Sequence, residues 1–75
     1  MLKAKIFNSP EKCMAGAELR RLREANNLSR EKVAEGMRFW GWYEKRVKRL
    51  ERAGRFCLET AEMHELLRVL NARSF

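Results

Sequence analysis

Apolar residues recur along this chain in short stretches at helical spacing, separated by Gly, Pro, Ser and Asn. Residues 2–6 are the exception. Leu2, Lys3, Ala4, Lys5 and Ile6 alternate with period 2, which predicts a short N-terminal strand or arm over residues 1–8. Ser9-Pro10-Glu11 then combines a preferred cap, a residue suited to the first helical position and an acid at the positive end of the dipole. A first helix is predicted over about residues 10–26, with Ala15, Leu19 and Leu22 on one face. Gly16 weakens its middle and admits a break there, and Asn26-Asn27 ends it. Ser29 caps a second helix whose apolar face is Val33, Ala34 and Met37. Gly36 and Gly41 mark its end and the following turn.

A third helix is predicted over about residues 42–52, with Tyr43, Val47 and Leu50 inside an arc of about 60°. Gly54 is the expected left-handed residue that closes it. A fourth, over about 59–70, carries Met63, Leu66, Leu67 and Leu70 at i, i+3, i+4 and i+7, leaving Val69 off the stripe and exposed. The expected fold class is all-α: a compact four- to five-helix bundle, with residues 9–72 as the domain and 73–75 as a tail.

Charge changes this picture at one place. The 75 residues carry a formal net charge of +7, and residues 38–55 alone hold seven Lys and Arg against Glu44 and Glu51. On a helical wheel Lys45, Lys48, Arg49 and Arg52 form one stripe opposite Val47 and Leu50, flanked by the two acids. A cationic stripe on a folded helix is the electrostatic footprint of a polyanion partner.

Other chemistry is thin. The longest uncharged runs are five residues, so no membrane span is expected, and residues 1–20 lack an apolar leader core. A cytoplasmic location follows as the expectation, with Cys13 and Cys57 as buried thiols. All ten acids are Glu, so no Ser/His/Asp set exists, and no Gly-rich phosphate loop is present. Cys13, Cys57 and His64 lack metal-ligand spacing. Neither an enzyme nor a cofactor or metal is expected.

The pieces Gly16-x-x-Leu19-Arg20-x-Leu22-Arg23, Leu28-Ser29-x-Glu31-x-Val33-Ala34, Val47-x-Arg49-Leu50-Glu51-Arg52 and Leu58-Glu59-Thr60 occur in an order and spacing that resemble the lambda-repressor-like, Cro-type helix-turn-helix family. The resemblance spans about residues 14–72. It implies a compact helical domain that binds double-stranded operator DNA, usually as a homodimer on a palindrome. Regulation would then act by occupying a promoter, which favours repression as the function. It matches Tyr43, Glu44, Lys45 and Lys48 to the exposed face of the recognition helix, and Arg30 to a phosphate or base contact. Periodicity agrees for the two lysines and disagrees for Tyr43, which it turns inward. Arg46, Arg49, Arg52 and Arg55 are the further phosphate candidates. From Ser29 to Glu51 the chain is about three residues longer than the family pattern, with the excess near Arg38-Phe39-Trp40, and the fourth helix is offset by about two.

Phe39, Trp40, Trp42 and Tyr43 are four of the seven aromatics, within five positions. Trp42 is expected in the core with Phe39 covering it. Trp40 is expected to stay exposed as a protein interface, since Trp is enriched at binding hot spots. Val69, with Phe75 and residues 2–7, is a candidate contact between the two copies of a dimer. An alternative function is therefore a protein-interaction module, such as an antitoxin or phage-type regulator, binding its partner through residues 39–43. RNA binding is a third reading, disfavoured because the A-form major groove is too narrow to be read by side chains.

Overall fold

The computed structural model describes residues 11–71. The arm expected at residues 1–8, the Ser9-Pro10 start and the tail with Phe75 lie outside the described residues. Strand β1 is Glu11–Met14. Helices α1 (Gly16–Ala25) and α2 (Arg30–Gly36) follow. A 3-10 turn over Arg38–Trp40 leads to α3, Glu44–Arg52. Strand β2 is Phe56–Glu59, and α4 is Thr60–Leu70.

The all-α expectation is overturned by the strands. β1 and β2 pair antiparallel with Glu11 opposite Glu59, Lys12 opposite Leu58, Cys13 opposite Cys57 and Met14 opposite Phe56. The molecule is a small α+β fold of helices around one core with a two-stranded sheet at its side. The physical reason is local shortness. Phe56 and Leu58 are buried while Cys57 and Glu59 are exposed, a period-2 pattern spread over only four residues. Its partner strand lies far away along the chain, where Glu11 reads equally well as a helix start.

The first helix therefore begins at Gly16 rather than near Pro10, because residues 11–14 are taken up by the strand pair, and the helix start lies against α3. A Cβ on Gly16 would collide with the carbonyl oxygens of Leu50, Glu51 and Ala53, in the last turn of α3 and just beyond it. Only glycine lets the two backbones meet there. At its other end α1 closes with a Schellman arrangement. Asn27 is left-handed at φ 55°, its N–H donates to Glu24 O at 3.0 Å, and the Leu28 N–H donates to Arg23 O at 3.0 Å.

Ser29 caps α2 as expected, its Oγ accepting from the Lys32 N–H at 3.0 Å. Gly41, at φ 81°, terminates the 3-10 turn. Gly54 is not left-handed; α3 ends instead through an extended Ala53.

The core is Leu19 from α1, Val33 and Ala34 from α2, Met37 and Trp42 from the connection, Val47 from α3, Phe56 and Leu58 from β2, and Met63, Leu66 and Leu70 from α4. α3 packs against both α1 and α2, while α4 covers α2 and β2. Val69 is half-buried, its methyls seated against Gly36. Cys13 and Cys57 are not buried thiols. Both are exposed, and they form a disulfide across the strand pair. Among the described residues no helix is long and apolar enough to cross a membrane.

Candidate nucleic-acid interface

α3 is held by its inner face and presents its outer one. Val47 is buried, Leu50 half-buried, and Glu51 buried as well. Lys45, Lys48, Arg49 and Arg52 are all exposed and line one shallow depression along the opposite side. Among the described residues their side chains meet no carboxylate. Arg55, just past the helix, is likewise exposed and unpaired.

The contrast with α1 is instructive. That helix also carries exposed arginines, but Arg20 bonds Glu24 at 3.0 Å and Arg21 bonds Glu18 at 2.5 Å. Those hydrogen bonds hold the Glu18 and Glu24 carboxyls below the usual carboxylate range and raise both guanidinium groups. The charge on α1 is thus matched locally, whereas that on α3 is left for solvent or a partner.

Glu51 is the residue whose place the wheel misjudged. It does not flank the basic stripe. It lies in the interior, accepting from Arg23 Nε at 2.5 Å and Nη2 at 3.3 Å, and from Arg30 Nε at 3.1 Å. Arg23 also donates from Nη1 to Leu28 O at 2.9 Å. One carboxylate thus ties α1, the start of α2 and α3 together. The available signal was spacing: Glu51 falls one turn after Val47, on the buried stripe. Arg30 keeps part of its guanidinium free, its side chain being 35% exposed.

The remaining predicted residues divide. Tyr43 is 52% exposed and precedes the first turn of α3, so the inward position suggested by periodicity is wrong. Its backbone is extended, φ −147°, which takes it off the helical wheel. Glu44 is exposed beside it. Arg46 points away from the basic stripe, with its guanidinium 5.1 Å from the centre of the Trp42 ring and its buried Nε lacking a hydrogen-bond partner. Trp42 is buried as expected and donates from Nε1 to Glu62 Oε2 at 2.7 Å, tying the connection to α4.

Phe39 does not cover Trp42. It is 90% exposed, because the 3-10 turn directs it outward, with Arg38 over its ring at 5.7 Å. Trp40 is 39% exposed. His64 is exposed on α4.

Comparisons with protein-family models, with curated proteins and with solved structures found no match.

Proposed function

We propose that this chain is a DNA-binding transcriptional regulator of the Cro/repressor type, laying α3 in the major groove. The observation that carries this reading is the cationic stripe of α3: exposed, without a carboxylate partner among the described residues, and opposite a buried face. The major groove admits one α-helix, and α3 is braced from behind by α1 and α2 as a reading helix must be. In this reading Lys45 and Lys48, both exposed, donate to base acceptors such as guanine O6 and N7, with Tyr43 and Glu44 at the leading end. Arg49, Arg52, Arg55 and the free edge of Arg30 serve phosphates. Arg46, turned toward Trp42, is a weaker contact. The chain would act by occupying its site rather than by catalysis, in the cytoplasm, as a homodimer on a two-fold site.

The test is the salt dependence of duplex binding, followed by fluorescence anisotropy. If about six phosphates are neutralised, log K should fall with log salt at a slope of roughly −5. A slope near zero overturns the reading. Lys45→Ala is expected to flatten the preference between duplex sequences. Arg52→Ala is expected to weaken all duplexes about equally.

A second reading is favoured by the exposure of Phe39, Trp40 and Tyr43: a protein partner bound through the connection between α2 and α3. Trp40→Ala separates the two. It should leave duplex affinity unchanged and abolish capture of a co-encoded protein if this second role exists. Val69, half-buried on Gly36, contributes little exposed surface to such an interface.

A further inference from the structure

The exposed disulfide and the DNA-facing helix are closer neighbours than their separation in sequence suggests. Cys13 and Cys57 lie 44 residues apart in the chain and directly opposite each other in the sheet. Three residues after Cys13 comes Gly16, pressed against the carbonyl oxygens of Leu50, Glu51 and Ala53. Four residues before Cys57 comes Ala53 itself, the end of α3. The bond therefore closes a small frame: Cys13 to Gly16 on one side, Ala53 to Cys57 on the other, and the Gly16–Ala53 contact between them.

Besides this bond, β1 is held by its pairing with β2, by contact with α4 and by Met14 against the core, while Glu11, Lys12 and Cys13 are exposed. Two strands of four residues each form few ladder bonds, so β1 depends on its packing and on the covalent link to β2. Exposed disulfides are also the ones that thiolates reach and that reducing compartments open.

We infer that the Cys13–Cys57 disulfide is a reversible clasp that backs the C-terminal turn of α3 with the start of α1, and that a dithiol reductant releases it. In the reaction a reductant thiolate attacks one exposed sulfur to form a mixed disulfide. The reductant's second thiolate then displaces the cysteine. Two electrons and two protons pass to Cys13 and Cys57, and the reductant leaves as its own disulfide.

Release loosens β1 and the first turn of α1. The Arg23–Glu51–Arg30 group and the core formed by α2 and α4 remain, so the change is local. Arg49 and Arg52 lie in the turn of α3 that loses its backing. The consequence for DNA rests on the proposed function: the reduced chain binds duplex more weakly, with a salt slope shallower by about 2, as for two lost phosphate contacts.

Residue-resolved amide exchange without DNA tests the clasp, comparing oxidised chain, dithiothreitol-reduced chain and Cys13→Ser/Cys57→Ser. Faster exchange on reduction is expected in residues 13–19 and 49–53, with α2 and α4 still protected and the double variant indifferent to dithiothreitol. Unchanged exchange overturns the clasp, and so does an acceleration in residues 13–19 and 49–53 no greater than that in α2 and α4. The wild type is measured in both states, so a double variant that folds poorly leaves that comparison intact. Duplex affinity then tests the link to binding. A weaker reduced form supports it, and equal affinities with altered exchange overturn it. If neither form binds duplex while exchange responds to reduction, the DNA-binding reading fails and the clasp stands.

Discussion

Glu51 is a carboxylate with a side chain only 2% exposed, and its place depends wholly on two guanidinium groups. Taking these charges out of water costs several kcal/mol per ion, and their attraction roughly offsets it, so such a group adds little net stability. Removing the carboxylate is another matter, because Arg23 is then left buried and uncompensated, while the half-buried Arg30 can turn to water. Glu51→Gln should lower the unfolding free energy by about 3 kcal/mol in a urea titration. A loss under about 1 kcal/mol would show that Arg23 finds water as well.

Gly16 makes the complementary point about volume. A single methyl group there meets rigid backbone oxygens rather than a flexible side chain, so something in α1 or α3 must shift. Gly16→Ala is expected to cost at least about 2 kcal/mol by thermal or urea unfolding, although alanine is the better helix former.

Among the elements, α2 is short and has one well-defined end. The Ser29 hydroxyl satisfies an otherwise orphaned N–H, so Ser29→Ala should destabilise by about 1 kcal/mol, read as a lower urea midpoint with unchanged slope. The connection from α2 to α3 spans residues 37–43, longer than the usual turn of three or four. Its 3-10 turn closes through the Trp40 N–H to Met37 O and the Gly41 N–H to Arg38 O, both at 2.9 Å. Met37 and Trp42 anchor the ends of this excursion in the core while Phe39 stands in solvent.

α3 has the clearest division of labour. Its apolar residues and Glu51 face inward, and Lys45, Lys48, Arg49 and Arg52, which meet no carboxylate among the described residues, face outward. Lys48→Glu places a negative charge in the middle of that stripe. Duplex affinity should fall more steeply than for Lys48→Ala, and the difference should shrink as salt is raised.

The molecule as a whole is small for a chain relying on one apolar core, and a covalent link matters more in such a case. For a separation of 44 residues the chain-entropy model assigns the disulfide about 4 kcal/mol, acting through the unfolded state. Cys13→Ser/Cys57→Ser should therefore unfold at lower urea concentration than the oxidised chain and at the same concentration as the reduced one. A stability indifferent to reductant would mean that the helices alone account for the fold. The expected homodimer is checked by sedimentation of the full chain with and without duplex. A preformed dimer should persist at micromolar concentration without DNA.

Much was legible in the pattern of residues. The cap at Ser29, the stop at Asn26-Asn27, the buried faces around Leu19, Val33, Val47 and Leu66, and the outward cations of α3 all follow from interactions between residues a few positions apart. Helical periodicity and capping are local, so the order of residues suffices to determine them. What the chain order could not supply depends on residues distant in sequence. Glu11–Met14 is a strand because Phe56–Glu59 lies beside it, and position 16 takes only glycine because the end of α3 lies against it. Glu51 is interior because Arg23 and Arg30 reach it, and the cysteines are joined because the sheet register brings them opposite each other. Charge, exposure and thiol state at those positions are set by neighbours that only folding brings into contact.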